Sequence, residues 1–126
     1  MTGTLKKEIE DFIDDWHYDE ASYKYAFDMG KFLVGFTRYL DTLNMSERTR
    51  RKHDNNLWLV GKFACNYGYR VEEQFDCQHL AGGASYEYEF ERKVSDSPTA
   101  LAAYRATWNY LDKYITSKTY LNFKIE

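Results

Sequence analysis

The chain has 126 residues, of which 44% are hydrophobic and 29% are charged, and its formal net charge is −3. Aromatic residues make up 18% of the sequence, which excludes a disordered chain and fits one folded domain. Because the sequence shows no apolar run of membrane-spanning length and no signal peptide, we expect a cytoplasmic protein that does not enter a membrane.

The first half of the chain reads as amphipathic helices. Residues 4–17 are expected to form the first, since its apolar residues share one stripe and its acidic residues surround them. Asp19 is a candidate N-cap for a second helix that extends to about Thr42. Gly30 and Gly35 lie inside this second helix, where each glycine costs about 1 kcal/mol relative to alanine. We therefore expect another helix to approach them closely.

A third helix is predicted over residues 47–67, with both of its ends marked. Ser46 can cap the first free backbone N–H groups, and Gly68 can take the left-handed turn that ends a helix. At 100° per residue, one face of this helix points towards a core. That face comprises Thr49, His53, Leu57, Val60, Ala64 and Tyr67.

The second half has weaker signals until a clear helix start. Residues 70–80 fit a short helix. Residues 84–94 fit either a strand or a helix, and we favour a helix because a lone strand has no partner in a helical chain. Ser97-Pro98 marks the start of a further helix to about residue 117, and residues 118–126 are either a flexible tail or a short extension.

These elements predict an all-α fold, a single domain over residues 1–126 formed by a bundle of four to six helices. The net charge alternates along it: residues 1–28 carry −5, residues 29–69 carry +4, residues 70–96 carry −4 and residues 97–126 carry +2. Blocks of opposite charge can pair within such a fold.

Four cations crowd the start of the third helix: Arg48, Arg50, Arg51 and Lys52. A helix N-terminus carries partial positive charge, so each exposed cation there costs roughly 0.3–1 kcal/mol. Two interpretations stay open. Either carboxylates of the chain pair with the cluster, or it contacts a phosphate or an acidic partner. The candidate contacts for that ligand are Arg48, Arg51, Lys52 and Asn55.

Two large apolar side chains, Trp58 and Leu59, lie beside the polar residues of the third helix rather than on its core-facing stripe. Either a second helix of the chain covers them, or something outside the chain does. Large side chains beside a charged rim are typical of interface anchors. Trp58 and Leu59 are therefore candidate anchors for a protein partner or for a second copy of the chain.

The residues whose side chains could act in catalysis or bind a metal do not form a recognisable pattern for either. Cys65 and Cys77, expected as reduced thiols, lack the paired spacing of a zinc site even with His79. His53 points inward on the third helix, which is typical of a hydrogen-bonded interior imidazole. No glycine-rich phosphate loop is present. We predict no catalytic, cofactor-binding or metal-binding residues, and hence no enzyme.

Residues 32–67 carry a pattern with three parts: Phe36-Thr37-Arg38-Tyr39-Leu40, then Met45-Ser46-Glu47-Arg48-Thr49, then His53 followed by Leu57. This pattern resembles the N-terminal core-binding (SAM-like) domain of tyrosine recombinases, the phage-type integrases. The resemblance implies a DNA clamp in which Arg48, Arg51 and Lys52 contact phosphates. None of the three histidines is followed by the arginine of that family's catalytic pattern.

Two functions follow as hypotheses. The first is a non-enzymatic helical interaction module for an unknown protein or for itself, as a homodimer. The alternative is a DNA-binding module that resembles an integrase core-binding domain without a catalytic domain.

Overall fold

The computed structural model describes residues 20–68 and 74–123, and within these ranges the chain is an all-α bundle, as predicted. The α-helices are α1 (Glu20–Asp41), α2 (Glu47–Phe63), α3 (Glu87–Lys93) and α4 (Pro98–Thr116). A π-helical segment (Ala64–Gly68) and two 3₁₀ turns (Cys77–Leu80 and Thr119–Phe123) complete the described elements, which include no strand. The predicted first helix, residues 4–17, and the cap residue Asp19 lie outside the described ranges.

Helices α1 and α2 form an antiparallel pair joined by a short loop. One face of α1 is buried, because its large apolar side chains recur every three or four residues. Its most buried members are Tyr25, Met29, Leu33, Phe36 and Leu40. The side chain of Ser46 caps α2 as expected, with its Oγ accepting from the Thr49 backbone N–H at 3.2 Å.

The third helix differs from its prediction at its C-terminal end. The α-helical part ends at Phe63, and the next five residues wind as a π-helix up to Gly68. The core-facing side is otherwise the predicted one for His53, Leu57, Val60 and Ala64, which are buried, and Tyr67 is half-buried. Thr49 was wrongly placed on it: its side chain is exposed in the first turn, where its backbone N–H donates to the cap residue Ser46.

Of the predicted 70–80 helix, residues 70–73 lie outside the described ranges. The described remainder is not an α-helix, because residues 74–76 are non-helical and Cys77–Leu80 forms a 3₁₀ turn capped by the Asp76 side chain, so the prediction is wrong for this part.

Helix α4 begins at the predicted Ser97-Pro98 signal and ends within one residue of its predicted end. The Ser97 Oγ accepts from the Ala100 backbone N–H at 3.0 Å, and Pro98 occupies the first helical position. The buried face of α4 comprises Leu101, Tyr104, Thr107, Trp108, Leu111, Tyr114 and Ile115. Helix α3 resolves the open choice over residues 84–94 in favour of a helix.

The C-terminal 3₁₀ turn packs against α1 at Gly35. A Cβ built on Gly35 would lie 2.6 Å from the Phe123 carbonyl oxygen and 3.1 Å from the Tyr114 hydroxyl oxygen. The close approach predicted for this glycine is therefore real, but a backbone turn makes it where a helix was expected. Residues 119–123 accordingly form a packed extension.

Aromatic side chains fill the space between α1, α4 and this turn. Tyr114 is at the centre, with its ring centroid 5.1 Å from those of Phe36 and Tyr39 and 5.5 Å from that of Phe32. Such contacts stabilise beyond the area that they bury. None of the helices in the described part of the chain is long and apolar enough to cross a membrane.

Candidate binding groove

The structure separates Arg50 from the other cations at the start of α2. Its Nε donates to Asp54 Oδ1 at 2.9 Å, its Nη1 pairs with Asp41, and its Nη2 donates to the Thr37 carbonyl oxygen at 3.2 Å. Burial opposes the charge, but the hydrogen bonds to both carboxylates leave the pKa of Arg50 raised. This cation is internally paired and joins α1 to α2.

The remaining cations, Arg48, Arg51 and Lys52, are exposed. None of them forms an ion pair with any residue in the described ranges. They share one side of α2 with Asn55 and Leu59, because these five positions fall within about 100° of arc. We call Arg48, Arg51 and Lys52 the cationic face.

A groove of about 380 Å³ lies beside the cationic face, between α2, α3 and α4. Its described lining is Lys52, Asn55, Asn56, Leu59, Phe90, Val94, Ser97, Thr99, Ala100 and Ala103. Among the predicted contacts, Lys52, Asn55 and Leu59 therefore meet at one surface. Its volume is towards the small end of the roughly 300–1,000 Å³ typical of ligand pockets.

The walls of the groove differ in character. The wall from α2 is mixed, since Leu59 is half-buried and Asn55 and Lys52 are exposed. The opposite wall is mainly apolar: it presents Val94, which is 48% exposed, and Ala100 and Ala103 of α4, alongside Ser97 and Thr99. The groove thus offers an apolar space with a cation at its edge.

A buried polar cluster holds the two long walls together. His53 Nδ1 lies 2.7 Å from Thr107 Oγ1, and the Asn56 side-chain amide donates to the same oxygen at 3.1 Å. The Thr107 hydroxyl in turn lies 3.1 Å from the Ala103 carbonyl oxygen, as its donor. The spacing between α2 and α4 is therefore set by hydrogen bonds as well as by apolar packing.

Trp58, the other predicted anchor, does not line the groove. Its side chain is half-buried and packs against the core. The Nζ of Lys62 lies over its ring, 5.3 Å from the ring centroid. On α2 it lies about 100° away from Leu59. The structure therefore brings Leu59, and not Trp58, to the groove.

Both cysteine thiols and the His53 ring lie in surroundings that shift their pKa values through burial. Cys65 is fully buried, and burial raises the pKa of its thiol to about 12, so the thiol stays protonated at neutral pH. Burial also raises the pKa of the half-buried Cys77 thiol. Burial lowers the pKa of His53, whose ring is 5% exposed. Across residues 20–68 and 74–123, no group of three or more acidic, histidine or cysteine side chains is arranged to hold a metal ion.

Sequence reasoning did not find the far wall of the groove. Phe90 and Val94 belong to residues 84–94, which fit either a strand or a helix, and Ala100 and Ala103 carry no chemical signal. The ion pair between Arg50 and Asp54 did have a signal in the sequence, because residues four positions apart are neighbours on a helix. Asp41 could not be found in this way, because the turn between α1 and α2 brings it near.

Comparisons with models of protein families, with curated proteins and with solved structures found no match to this chain. What the groove binds is therefore inferred from its own geometry and chemistry.

Proposed function

We propose that this chain is a non-enzymatic helical module that binds another protein in the cytoplasm through the groove and the cationic face. One observation carries the proposal: the groove brings half-buried Leu59 and exposed Val94 to the same surface as Lys52 and Asn55. Protein interfaces combine an apolar centre with a polar rim in this way. The surface supplies both.

Protein binding accounts for two unfavourable features of this surface, the exposure of Val94 and the clustering of cations at the start of α2. Val94 leaves 48% of its surface exposed at the groove, although most large apolar side chains within residues 20–68 and 74–123 are buried or half-buried. The cationic face keeps three charges near the start of α2, and one of them, Arg48, lies in the first turn, where a cation is unfavourable. A partner that covers Val94 and supplies carboxylates relieves both conditions.

Site-specific photo-crosslinking in cells that naturally express the chain tests the proposal. Thr99, exposed at the groove, is replaced by benzoylphenylalanine, and the matched control carries the same replacement at Asn122, exposed on the C-terminal turn. We expect a protease-sensitive adduct from the Thr99 position only. A second substitution, Leu59→Glu, should abolish it while circular dichroism shows an unchanged helix content.

An adduct that forms equally from both positions, or that persists with Leu59→Glu, would contradict the proposal. An adduct removed by nuclease would favour the alternative instead.

The alternative, a DNA-binding module like an integrase core-binding domain, is favoured by the unpaired state of Arg48, Arg51 and Lys52 on one side of α2. A DNA binder of this kind should shift a labelled duplex at about 50 mM salt and release it steeply by about 200 mM. Replacing all three cations with alanine should remove the shift. The absence of any shift at the lower salt concentration would eliminate this function.

A further inference from the structure

We infer that the partner segment is an acidic amphipathic helix, with two apolar side chains in the groove and carboxylates two to three turns away along its axis. This inference rests on the proposed function and specifies its ligand. It follows from the shape of the apolar walls, from the position of the cations along α2, and from the sign of their charge.

The apolar part of the groove suits side chains presented by a helix. Its volume of about 380 Å³ lies between Leu59 on α2 and an opposite wall that includes Phe90, Val94, Ala100 and Ala103. The two alanines project little, so a partner backbone can come close to α4. A helix laid in such a groove inserts side chains spaced three or four residues apart.

The cations stand at a defined distance from this apolar space. On α2, Lys52 precedes Leu59 by seven residues and Arg48 precedes it by eleven, which corresponds to about 10 Å and about 16 Å at 1.5 Å per residue. A partner helix that runs along α2 therefore reaches the cationic face two to three turns from its anchors. Carboxylates at those positions meet Arg48, Arg51 and Lys52.

The sign of the charge selects the partner. Lys52 is the single charged residue among the described residues that line the groove, and Arg48 and Arg51 extend the same sign along α2. A basic helix would face like charges, which disfavours it strongly. A nucleic-acid duplex matches the charge but presents no apolar side chains to cover Leu59 and Val94. An acidic amphipathic helix satisfies both parts.

Chemical-shift mapping on the full-length, ¹⁵N-labelled chain tests this inference with three stapled peptides of about 14 residues. The first carries two leucines four positions apart and three glutamates two to three turns further on. The second has lysine in place of each glutamate, and the third has the composition of the first in a non-amphipathic order. We expect the first peptide to bind about tenfold more tightly than the others. Its binding should change the amide chemical shifts of Leu59, Val94 and Ala103.

A charge-reversed chain provides the decisive control. Arg48→Glu combined with Lys52→Glu changes two exposed side chains, so the fold should persist, and circular dichroism checks that it does. The preference should then invert, with the lysine peptide binding more tightly. Equal binding of the acidic and lysine peptides, no binding of the acidic one, or an unchanged preference in the charge-reversed chain would overturn the inference.

The two proposals fail in different ways. If the Thr99 position gives a groove-dependent protein adduct but the peptides do not discriminate by charge, the chain is an interaction module whose partner is not an acidic helix. If the Thr99 position gives no specific adduct, the proposed function itself is wrong.

Discussion

Thr107 is the residue on which the polar contact between α2 and α4 depends. Its hydroxyl oxygen accepts from the Asn56 side-chain amide and lies within donating distance of the Ala103 carbonyl oxygen. The same hydroxyl can donate to or accept from Nδ1 of His53, 2.7 Å away, according to the tautomer of the His53 ring. The ring of Tyr110 lies edge-on to the His53 ring with a centroid distance of 5.2 Å, which leaves a charged imidazole poorly solvated.

We expect His53 to make the stability of the chain depend on pH. Burial, with a smaller contribution from the charge of Arg50, lowers the pKa of His53 below its usual 6.5 in the folded state, although Asp54 opposes this. The unfolded chain then binds the proton more readily, so the free energy of unfolding should be constant above about pH 6.5 and fall as the pH decreases below it. Urea denaturation between about pH 7.5 and 5 measures this.

The matched variant is His53→Gln, which removes the titrating ring. His53→Gln should flatten the pH dependence over this range. If the natural chain and His53→Gln lose stability in parallel, His53 is not the source of the slope.

Among the helices, α2 has cations near its N-terminus, where the helix dipole makes positive charge unfavourable. The structure relieves this repulsion only in part. Arg50 has two carboxylates and a carbonyl oxygen, contributed by α1 and α2 together. Arg48 is exposed in the first turn without an ion pair among the described residues. Local rules that fail without compensation within the fold are expected at functional sites.

Two single substitutions in α2 should therefore have opposite effects on stability. Arg48→Ala removes a cation next to the positive helix end and should raise the free energy of unfolding by about 0.3–1 kcal/mol at low salt, with the gain fading in high salt. Arg50→Ala breaks a network and should lower it by about 1–2 kcal/mol. Urea denaturation of both variants at two salt concentrations measures this. Destabilisation of similar size by both would mean that Arg48 also has a partner in the folded chain.

The comparison of sequence and structure shows which features are local and which are not. Ser46 and Ser97-Pro98 marked helix starts correctly, because a cap is a contact within four residues. The buried faces of α1 and α4 are likewise local features, because their large apolar side chains recur every three or four residues. Gly35 indicated a close neighbour but not which one, and the wall formed by Val94 and Ala103 was not foreseen, because tertiary packing brings these together.

The charges also bear on the state of assembly of the whole molecule. In a two-fold dimer the same patch meets itself, so a dimer formed through the outer side of α2 would bring like charges together. The charged residues on that side are all cations: Arg48, Arg51, Lys52 and Lys62. The residues between them, Asn55, Trp58 and Leu59, are uncharged. Facing copies therefore repel, while a partner with acidic side chains does not.

We accordingly expect the isolated chain to be a monomer of 15.0 kDa in size-exclusion chromatography with light scattering at about 50 mM salt, where repulsion between like charges is least screened. The charge-reversed chain with Arg48→Glu and Lys52→Glu should associate with the natural chain when the two are mixed, because the contact then joins opposite charges. A natural dimer at low salt that Leu59→Glu dissociates would contradict this prediction. It would mean that a second copy occupies the groove, since Leu59 is the one side chain of α2 that is apolar, lines the groove and lies among the cations.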